Sequence, residues 1–335
     1  MNVKRILYGL VAVASMSLTA KDKDIPQHLQ DISVTIVSEG EWSKGEGSGV
    51  VFTRKDKDGN IVNFIWTAAH VIDNLRSTRE VIVNGGKKTI VEFKDPKVVK
   101  EIKQDGRTVG RIEMDAEVVK YSDATTGHDL ALLKLRKRGF VQDTTTFYLE
   151  DKIPSLGTDL LHVGSLLGQM GANSMTAGIY SQHGRLIGIN KFVFDQTTVN
   201  AFPGSSGGGV YTKGDAKYIG MLVRGAGETF NLIVPVRRMK EWAKKNDIEW
   251  ALDPSKPMPS AAELAKLPIE DTGAGSKDDK GDDGKKVHEY IRTNKMFPFM
   301  LKVTPKKQQL PLIIGPSIIE SEPLDPANFR LKTTK

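Results

Sequence analysis

The 335-residue sequence contains no cysteine. This absence excludes disulfide bonds, a thiol nucleophile and any zinc site that uses cysteine ligands. After the N-terminal segment there is also no apolar run long enough for a membrane-spanning helix. Metal-ligand and cofactor motifs are missing as well, so we expect no metal and no cofactor. The formal net charge of +7 is spread along the chain without a nucleic-acid-binding motif, and a nucleic-acid partner is not expected.

The N-terminal residues have the pattern of an export signal. Lys4 and Arg5 precede a short apolar run from Ile6 to Leu18, and small residues surround Ala20. This order predicts a signal peptide over residues 1–20, and an uncleaved membrane anchor formed by residues 6–18 is the alternative. In either case we expect the body of the protein to be exported, to a bacterial periplasm or as a secreted protein. Membrane contact is expected only if the segment is uncleaved.

Short runs of strand-forming residues, separated by turn residues, fill the sequence from Asp31 to Pro235. Examples are ISVTIVS, GVVFT, NFIWTAA, LALLKL and NLIVPV. Many short strands without a long helical pattern predict an all-β barrel or sandwich. The next segment, 236–246, has helical spacing, so we expect a helix that closes the β body. The apolar face of this helix comprises Val236, Met239, Trp242 and Ala243.

The composition changes again after Pro254. The proline-rich DPSKPMPS and the charged, glycine-rich residues 270–286 predict a linker over 249–286 that is partly disordered, with one short helix at SAAELAKL. The last segment, 287–335, is a tail too short to form its own core. Docking on the main domain, binding of a partner and mobility all remain open for this tail.

The stretch NAFPGSSGGGVY, from Asn200 to Tyr211, combines four glycines with two adjacent serines. Most clusters of this composition are simple turns. Here strand-forming segments lie on both sides, and a glycine-rich corner between strands can direct backbone N–H groups into one small space. An oxyanion hole requires this arrangement, so Ser206 is a candidate nucleophile.

A serine nucleophile needs a base, and the base needs a carboxylate that orients it. His70 follows two small residues in FIWTAAHVI, and Asp129 precedes an apolar strand in GHDLALLKL, with Asp123 as a weaker alternative. Both residues also have ordinary interpretations, as a core histidine and a turn-capping aspartate. The order His, Asp, Ser is that of chymotrypsin and differs from the orders in subtilisin and the α/β-hydrolases.

With these motifs the chain resembles the trypsin-like serine proteases, most closely the bacterial HtrA/Deg branch. The segments GEGSGVVF, WTAAHVI, DLALLKL and QTTVNAFPGSSGG carry the resemblance, which covers about residues 30–248. It implies an all-β, chymotrypsin-like fold of two six-stranded antiparallel β-barrels with a C-terminal helix and with the site between the barrels. The chain departs from the family at Ser205, where Asn or Asp is usual, and no PDZ-like domain follows the protease region.

The resemblance implies a serine endopeptidase that works through an acyl-enzyme. Ser206 would attack the substrate, His70 would transfer the proton and Asp129 would orient His70. The backbone N–H groups of Gly204 and Ser206 would form the oxyanion hole. Polypeptides, including unfolded or exported proteins, are the expected partners, and an oligomer stays open. The residues implied for the S1 pocket are Asn200, Val223, Arg224, Gly225 and Asn231.

Two other functions fit parts of the sequence. GSSGG also matches the nucleophile elbow of α/β-hydrolases, but that elbow needs a helix after Ser206 and a later histidine, and the following glycines disfavour a helix. The second alternative is a catalytically silent protease fold that binds peptides.

Overall fold

A computed structural model describes residues 24–83, 86–104, 106–187, 191–225 and 229–271. The predicted signal or anchor segment, 1–20, and the predicted tail, 287–335, lie outside the described residues. In the part of the chain that is described, no helix is long and apolar enough to cross a membrane.

Fifteen strands form the body of the described chain. The first eight are β1 (Ser33–Glu39), β2 (Lys44–Lys55), β3 (Ile61–Thr67), β4 (Arg76–Val83), β5 (Gly86–Phe93), β6 (Lys97–Gln104), β7 (Arg107–Ser122) and β8 (Leu130–Leu135). The other seven are β9 (Thr146–Phe147), β10 (Asp159–Leu166), β11 (Gly171–Ile187), β12 (Phe192–Thr197), β13 (Gly209–Thr212), β14 (Lys217–Gly225) and β15 (Asn231–Pro235).

The described helices lie before and after the strand region. They are α1 (Ile25–Asp31), α2 (Val236–Lys245) and α3 (Ala261–Leu264). Helix α2 confirms the predicted closing helix, and its four predicted apolar residues are all buried. Single 3₁₀ turns occupy Ala69–Val71, Asp73–Leu75, Gly168–Met170 and Glu249–Ala251.

The first six-stranded barrel is closed in the order β1-β2-β3-β8-β7-β6, and every pairing in it is antiparallel. Strands β4 and β5 form a separate hairpin between β3 and β6 in the sequence. One face of β2, β3 and β8 carries large buried side chains, among them Phe52, Phe64, Trp66 and Leu132. The aromatic rings of Phe52 and Phe64 stack with their centroids 5.4 Å apart.

The second barrel uses strands β10 to β15. Its sheet has the order β13-β10-β11-β12-β15-β14, and the pairing of β13 with β14 closes the ring, while β9 adds to β14 in parallel. The prediction of two six-stranded antiparallel barrels is therefore confirmed. Trp242 of α2 packs against Trp66 of the first barrel at 5.9 Å between ring centroids, so α2 joins the cores.

Residues 249–271 differ from the linker that we expected from their composition. Trp250 packs edge-on against Phe64 with 4.8 Å between centroids, and Trp66 Nε1 donates to the carbonyl oxygen of Ala251 at 3.2 Å. Glu270 forms a β-bridge with Tyr121 of β7. Aromatic side chains thus anchor this proline-rich segment to the first barrel. The rest of the predicted linker, 272–286, is outside the described residues.

Candidate functional site

The first barrel brings His70 and Asp129 together. Strand β3 ends shortly before His70, and β8 begins directly after Asp129, with Thr67 paired to Ala131 across the two antiparallel strands. The two side chains therefore emerge at the same end of the barrel. Asp129 accepts the backbone N–H of His70 at 3.1 Å, and both of its oxygens lie 3.0 Å from His70 Nδ1. The carboxylate thus fixes the orientation of the imidazole.

The surroundings of this pair shift both pKa values. Burial lowers the pKa of His70, but the charge and hydrogen bond of Asp129 outweigh it, and the pKa of His70 lies above its ordinary value. Burial raises the pKa of Asp129, yet His70 and, more weakly, Arg224 bring it below the ordinary value. Asp129 is only 1% exposed, so its charge acts in a poorly hydrated site. The charge of Asp129 therefore stabilises the protonated form of His70.

Asp123, the weaker candidate for the orienting carboxylate, has a different position. Its Oδ1 accepts the backbone N–H groups of Thr125 and Thr126 at 2.8 and 2.7 Å. Its carbonyl oxygen accepts the N–H of Asp129 at 3.2 Å. Asp123 therefore caps the turn that positions Asp129, and the histidine contact belongs to Asp129.

The corner that carries Ser206 lies in the second barrel and packs on the first. The backbone N–H of Ser48, in β2, donates to the carbonyl oxygen of Ser206 at 2.7 Å. Gly207 has φ +88°, and a Cβ there would stand 2.1 Å from the Ser48 carbonyl oxygen and 2.5 Å from Thr67 Oγ1. Since Thr67 ends the strand before His70, the corner is fitted against the elements that hold the base.

Ser206 and His70 form no hydrogen bond with each other in the described part of the chain. Catalytic hydrogen bonds are often long before substrate binds, so a joint role of the two residues stays compatible with this geometry. Strand β13 follows Ser206, and the helix that a nucleophile elbow requires is absent from these described residues. The α/β-hydrolase alternative therefore does not fit the fold.

The backbone N–H groups of Gly204 and Ser206 have no acceptor among the described residues. The carbonyl oxygens of the same two peptide groups are occupied: Pro203 accepts from Leu167 N–H at 2.7 Å, and Ser205 accepts from Gly208 N–H at 3.0 Å. Because N–H and C=O point in opposite directions in a trans peptide, these bonds fix the direction of both free donors. Both N–H groups are therefore available to an acceptor from outside the described residues.

Ser205 is the residue where the sequence departs from the usual family pattern. It is buried, its Oγ accepts the N–H of Phe202 at 3.1 Å, and its own N–H donates to the Phe202 carbonyl oxygen at 2.9 Å. This reciprocal pair closes the turn directly before Ser206. A serine at this position thus holds the corner through local backbone bonds.

The five residues expected around the S1 pocket have different surroundings. Asn231 Nδ2 donates to the carbonyl oxygen of Val199 at 2.7 Å, and a Cβ on Gly225 would stand 2.3 Å from Asn231 Oδ1. Gly225 and Asn231 thus lie side by side near residues 199–201. Val223 is buried, and Asn200 is exposed.

Arg224 points away from Gly225 and Asn231. Its Nη2 donates to the Ala124 carbonyl oxygen at 3.1 Å, and its guanidinium carbon lies 5.3 Å from the centroid of the Phe194 ring. Strand β14 shifts register between Leu222 and Arg224, which turns this side chain toward the side of Asp129. Arg224 is a residue implied for the pocket wall, and its guanidinium contacts Ala124 of the first barrel.

Two further residues make contacts at the site that motif reasoning did not reveal. Ser48 binds the nucleophile corner, and its segment GEGSGVVF stood out in the sequence only as a family motif. Asp73 is close enough to His70 to raise its pKa, and Asp73 accepts a hydrogen bond from the Tyr121 hydroxyl. The only available signal for Asp73 was its position three residues after His70.

Comparison with protein families decides the relationship. Residues 47–221, just over half of the chain, match the trypsin-like peptidase domain. The chain belongs to the trypsin-like peptidases.

Among the curated members of this family, the chain is similar to the serine protease Do-like HtrA of Lactococcus lactis. The proteins from subsp. lactis (strain IL1403) and subsp. cremoris (strain MG1363) are each 30% identical to it over 178 residues. The match covers 51% of this chain and 35% of each relative. The chain therefore spans about a third of the length of these trypsin-like peptidases.

Two solved structures of proteases are also similar to the chain. An HtrA-type protease, AlgW, with tripeptide matches with a TM-score of 0.48 and 19% identity over 68% of this chain and 64% of that chain. A serine endoprotease from Yersinia pestis matches with a TM-score of 0.45 and 18% identity, covering 66% and 64%.

Proposed function

We propose that this trypsin-like peptidase is an active serine endopeptidase of exported proteins or peptides. One observation carries the proposal: the hydrogen-bonded pair of His70 and Asp129 lies against a serine corner that presents two backbone N–H groups without acceptors among the described residues. A base with its orienting carboxylate, a nucleophile and oxyanion donors are the parts that acyl transfer needs. Membership in a family of peptidases supports polypeptides as the substrate class.

In the proposed mechanism, Asp129 accepts a hydrogen bond from His70 Nδ1–H, and this holds the tautomer in which the lone pair of Nε2 is free to act as a base. His70 Nε2 removes the proton of Ser206 Oγ while this oxygen attacks the peptide carbonyl carbon. The carbonyl oxygen becomes an oxyanion held by the N–H groups of Gly204 and Ser206. His70 then protonates the leaving amine, and water releases the acyl group by the same steps.

The proposed specificity follows from the residues around Gly225 and Asn231. No carboxylate stands at the positions expected for the base of the S1 pocket, so a preference for Lys or Arg at P1 is not expected. We assign a small or medium-sized P1 residue instead. Arg224, one of the residues implied for the pocket wall, donates from Nη2 to the Ala124 carbonyl oxygen.

The test is intact mass spectrometry after exhaustive treatment of the full chain with a fluorophosphonate. We expect one adduct on the wild type and none on Ser206→Ala, because only an activated serine reacts. Ser205→Ala is the matched control, since the neighbouring serine should be dispensable for labelling even if its loss slows the reaction. An unlabelled but folded wild type would refute the proposal and favour the silent peptide-binding alternative.

A further inference from the structure

Ser48 uses all of its polar groups at the proposed site, and three of its four hydrogen bonds join the two barrels. Its Oγ donates to the carbonyl oxygen of Gly204 at 2.7 Å and accepts the N–H of Ser165 at 2.7 Å. Its N–H binds Ser206, and its carbonyl oxygen accepts from Thr67 Oγ1, both at 2.7 Å. Ser48 is fully buried, so water does not compete for these bonds.

The contact with Gly204 has a specific consequence for the two free N–H donors. One complete peptide group, between Gly204 and Ser205, separates the Gly204 N–H from the Ser206 N–H. The Ser48 hydroxyl binds the carbonyl oxygen of this peptide, and the carbonyl oxygen of Phe202 accepts its N–H. Hydrogen bonds thus hold both the C=O and the N–H of the peptide between Gly204 and Ser205. The angle between the two donors depends on the plane of this peptide, because peptide groups are rigid and rotate only about φ and ψ.

The peptide after Gly204 needs such a restraint because residue 204 is a glycine. Gly204 has φ +93°, a conformation that glycine adopts readily but does not favour over others. A glycine therefore offers little intrinsic resistance to rotation of the adjoining peptide. The hydroxyl of Ser48 supplies a restraint from the other barrel.

We infer that Ser48 is a positioning residue that aligns the oxyanion hole by holding the Gly204 carbonyl oxygen. This inference rests on the proposed function, since an oxyanion hole matters only if Ser206 attacks a carbonyl. Ser48 touches neither the substrate nor the reacting atoms. Its contribution should therefore appear in the transition state and be nearly absent when an unreactive peptide binds.

Ser48 packs tightly against two neighbouring glycines, with no room for a side chain on either of them. A Cβ on Gly164 would stand 2.8 Å from Ser48 Oγ, and a Cβ on Gly207 would stand 2.1 Å from its carbonyl oxygen. Ser48→Ala fits this space and removes only the hydroxyl. Ser48→Cys fills it with a thiol, which is a weak donor and a weak acceptor.

The experiment compares three probes that share one P1 residue, taken from wild-type cleavage sites in β-casein. They are a peptide p-nitroanilide, the matching peptide aldehyde and the matching peptide acid. The Ser206 oxygen adds to the aldehyde carbon and its proton passes to His70, so the former carbonyl oxygen enters the oxyanion hole. The peptide acid binds without this addition.

For Ser48→Ala we expect kcat to fall about 10- to 100-fold, less than the 10²–10³ lost when an oxyanion donor is removed outright. Affinity for the aldehyde should fall with kcat, while KM and affinity for the acid change by less than about threefold. Ser48→Cys should lie between wild type and Ser48→Ala, although its thiol keeps the space filled.

Thr35→Val is the matched control. It removes a buried 2.6 Å hydrogen bond to the Oγ of Ser165, the residue whose N–H binds Ser48 Oγ, but it keeps the bond from Ser48 to Gly204, so it should leave the ratio of aldehyde to acid affinity unchanged. Equal losses for aldehyde and acid in Ser48→Ala, or wild-type kcat in Ser48→Cys, would overturn the inference while leaving the proposed function intact. An inactive and unlabelled wild type would overturn both.

Discussion

The two barrels hold their parts of the candidate site in different ways. The first barrel fixes His70 by a charged side-chain contact, because the Asp129 carboxylate binds both the ring and the backbone N–H. The second barrel fixes the corner around Ser206 with backbone bonds, and the residues at its sharpest turns are Gly204 and Gly207. One half of the site depends on charge and tautomer, and the other depends on the shape of the main chain.

This difference decides which substitutions are tolerated. At Asp129 a change from carboxylate to amide keeps the size of the side chain but reverses a hydrogen bond, and it acts on the part of the candidate site that belongs to the first barrel. At Gly207 a change from Gly to Ala adds one carbon without polarity, and it acts on the shape of the corner. Substitutions of the two kinds therefore separate the two forms of dependence.

The largest expected effect follows from Asp129→Asn. A carboxylate has two oxygens that accept hydrogen bonds, but an amide has one such oxygen and an NH₂ group that only donates. The amide therefore favours the wrong tautomer of His70, and kcat should fall by about 10⁴. Asp123→Asn makes the same chemical change in the turn cap, where an amide oxygen still accepts the N–H groups of Thr125 and Thr126. Steady-state kinetics should show a change below about threefold for that control. Similar losses in the two variants would contradict the assignment of Asp129.

The second prediction concerns the corner. In Gly207→Ala the new Cβ would stand 2.1 Å from the backbone oxygen of Ser48, which cannot move without displacing β2. We expect a loss of more than about 3 kcal/mol in the free energy of unfolding, or a nearly inactive folded protein.

Gly59→Ala is a control with the same backbone strain. Gly59 has φ +80°, and a Cβ added there would meet no atom within 4 Å, so only the left-handed conformation is penalised, by about 1–2 kcal/mol. Urea unfolding of both variants measures the difference. If Gly59→Ala lost as much stability as Gly207→Ala, the contact with Ser48 would not be the cause.

The same contrast explains how far the sequence could predict this molecule. Strand patterns predicted an all-β barrel or sandwich, and the family resemblance implied two barrels. Short motifs located His70, Asp129 and the corner at Ser206. Motifs did not reveal the bond from Ser48 to Gly204, because 156 residues separate the two. The direction of Arg224 depends on a register shift in β14, and such a shift turns a side chain to the other face of a strand. Local sequence does not encode that register.

The third prediction uses a histidine behind the corner. His162 is fully buried, its Nδ1 lies 3.0 Å from the Gly209 carbonyl oxygen, and burial lowers its pKa from 6.5 to about 4. The unfolded chain therefore takes up a proton between pH 6.5 and 4 while the folded protein does not. Stability is complete above pH 6.5 and should decrease by about 3 kcal/mol as the pH falls through this window.

The pair of His70 and Asp129 changes stability with pH in the opposite direction. The pKa of His70 is raised, so its contribution to stability is complete below pH 6.5 and is lost as the pH rises through the folded value. His162→Asn keeps a donor for the Gly209 carbonyl oxygen but has no titration in this range. Urea unfolding at several pH values should show a flatter acid limb for His162→Asn than for the wild type. An unchanged slope would assign the acid sensitivity to other groups.

The smallest expected effect distinguishes the charges around His70. Asp73 lies near His70 and accepts a hydrogen bond from the Tyr121 hydroxyl, and partial loss of hydration raises the pKa of Asp73 to about 6. Above that pH its negative charge raises the pKa of His70, so kcat/KM should increase with pH through an apparent pKa above 6.5. In Asp73→Asn this apparent pKa should decrease by about half a unit, because one favourable charge is lost.

Tyr121→Phe gives a graded version of the same test. The Tyr121 hydroxyl lowers the pKa of Asp73, so its removal leaves more of Asp73 neutral and should shift the pH profile in the same direction by a smaller amount. The pH dependence of kcat/KM for the three proteins measures this order. If the two variants moved the acid limb in opposite directions, the link from Asp73 to His70 would not be electrostatic, and only Asp129 would set the basicity of the histidine.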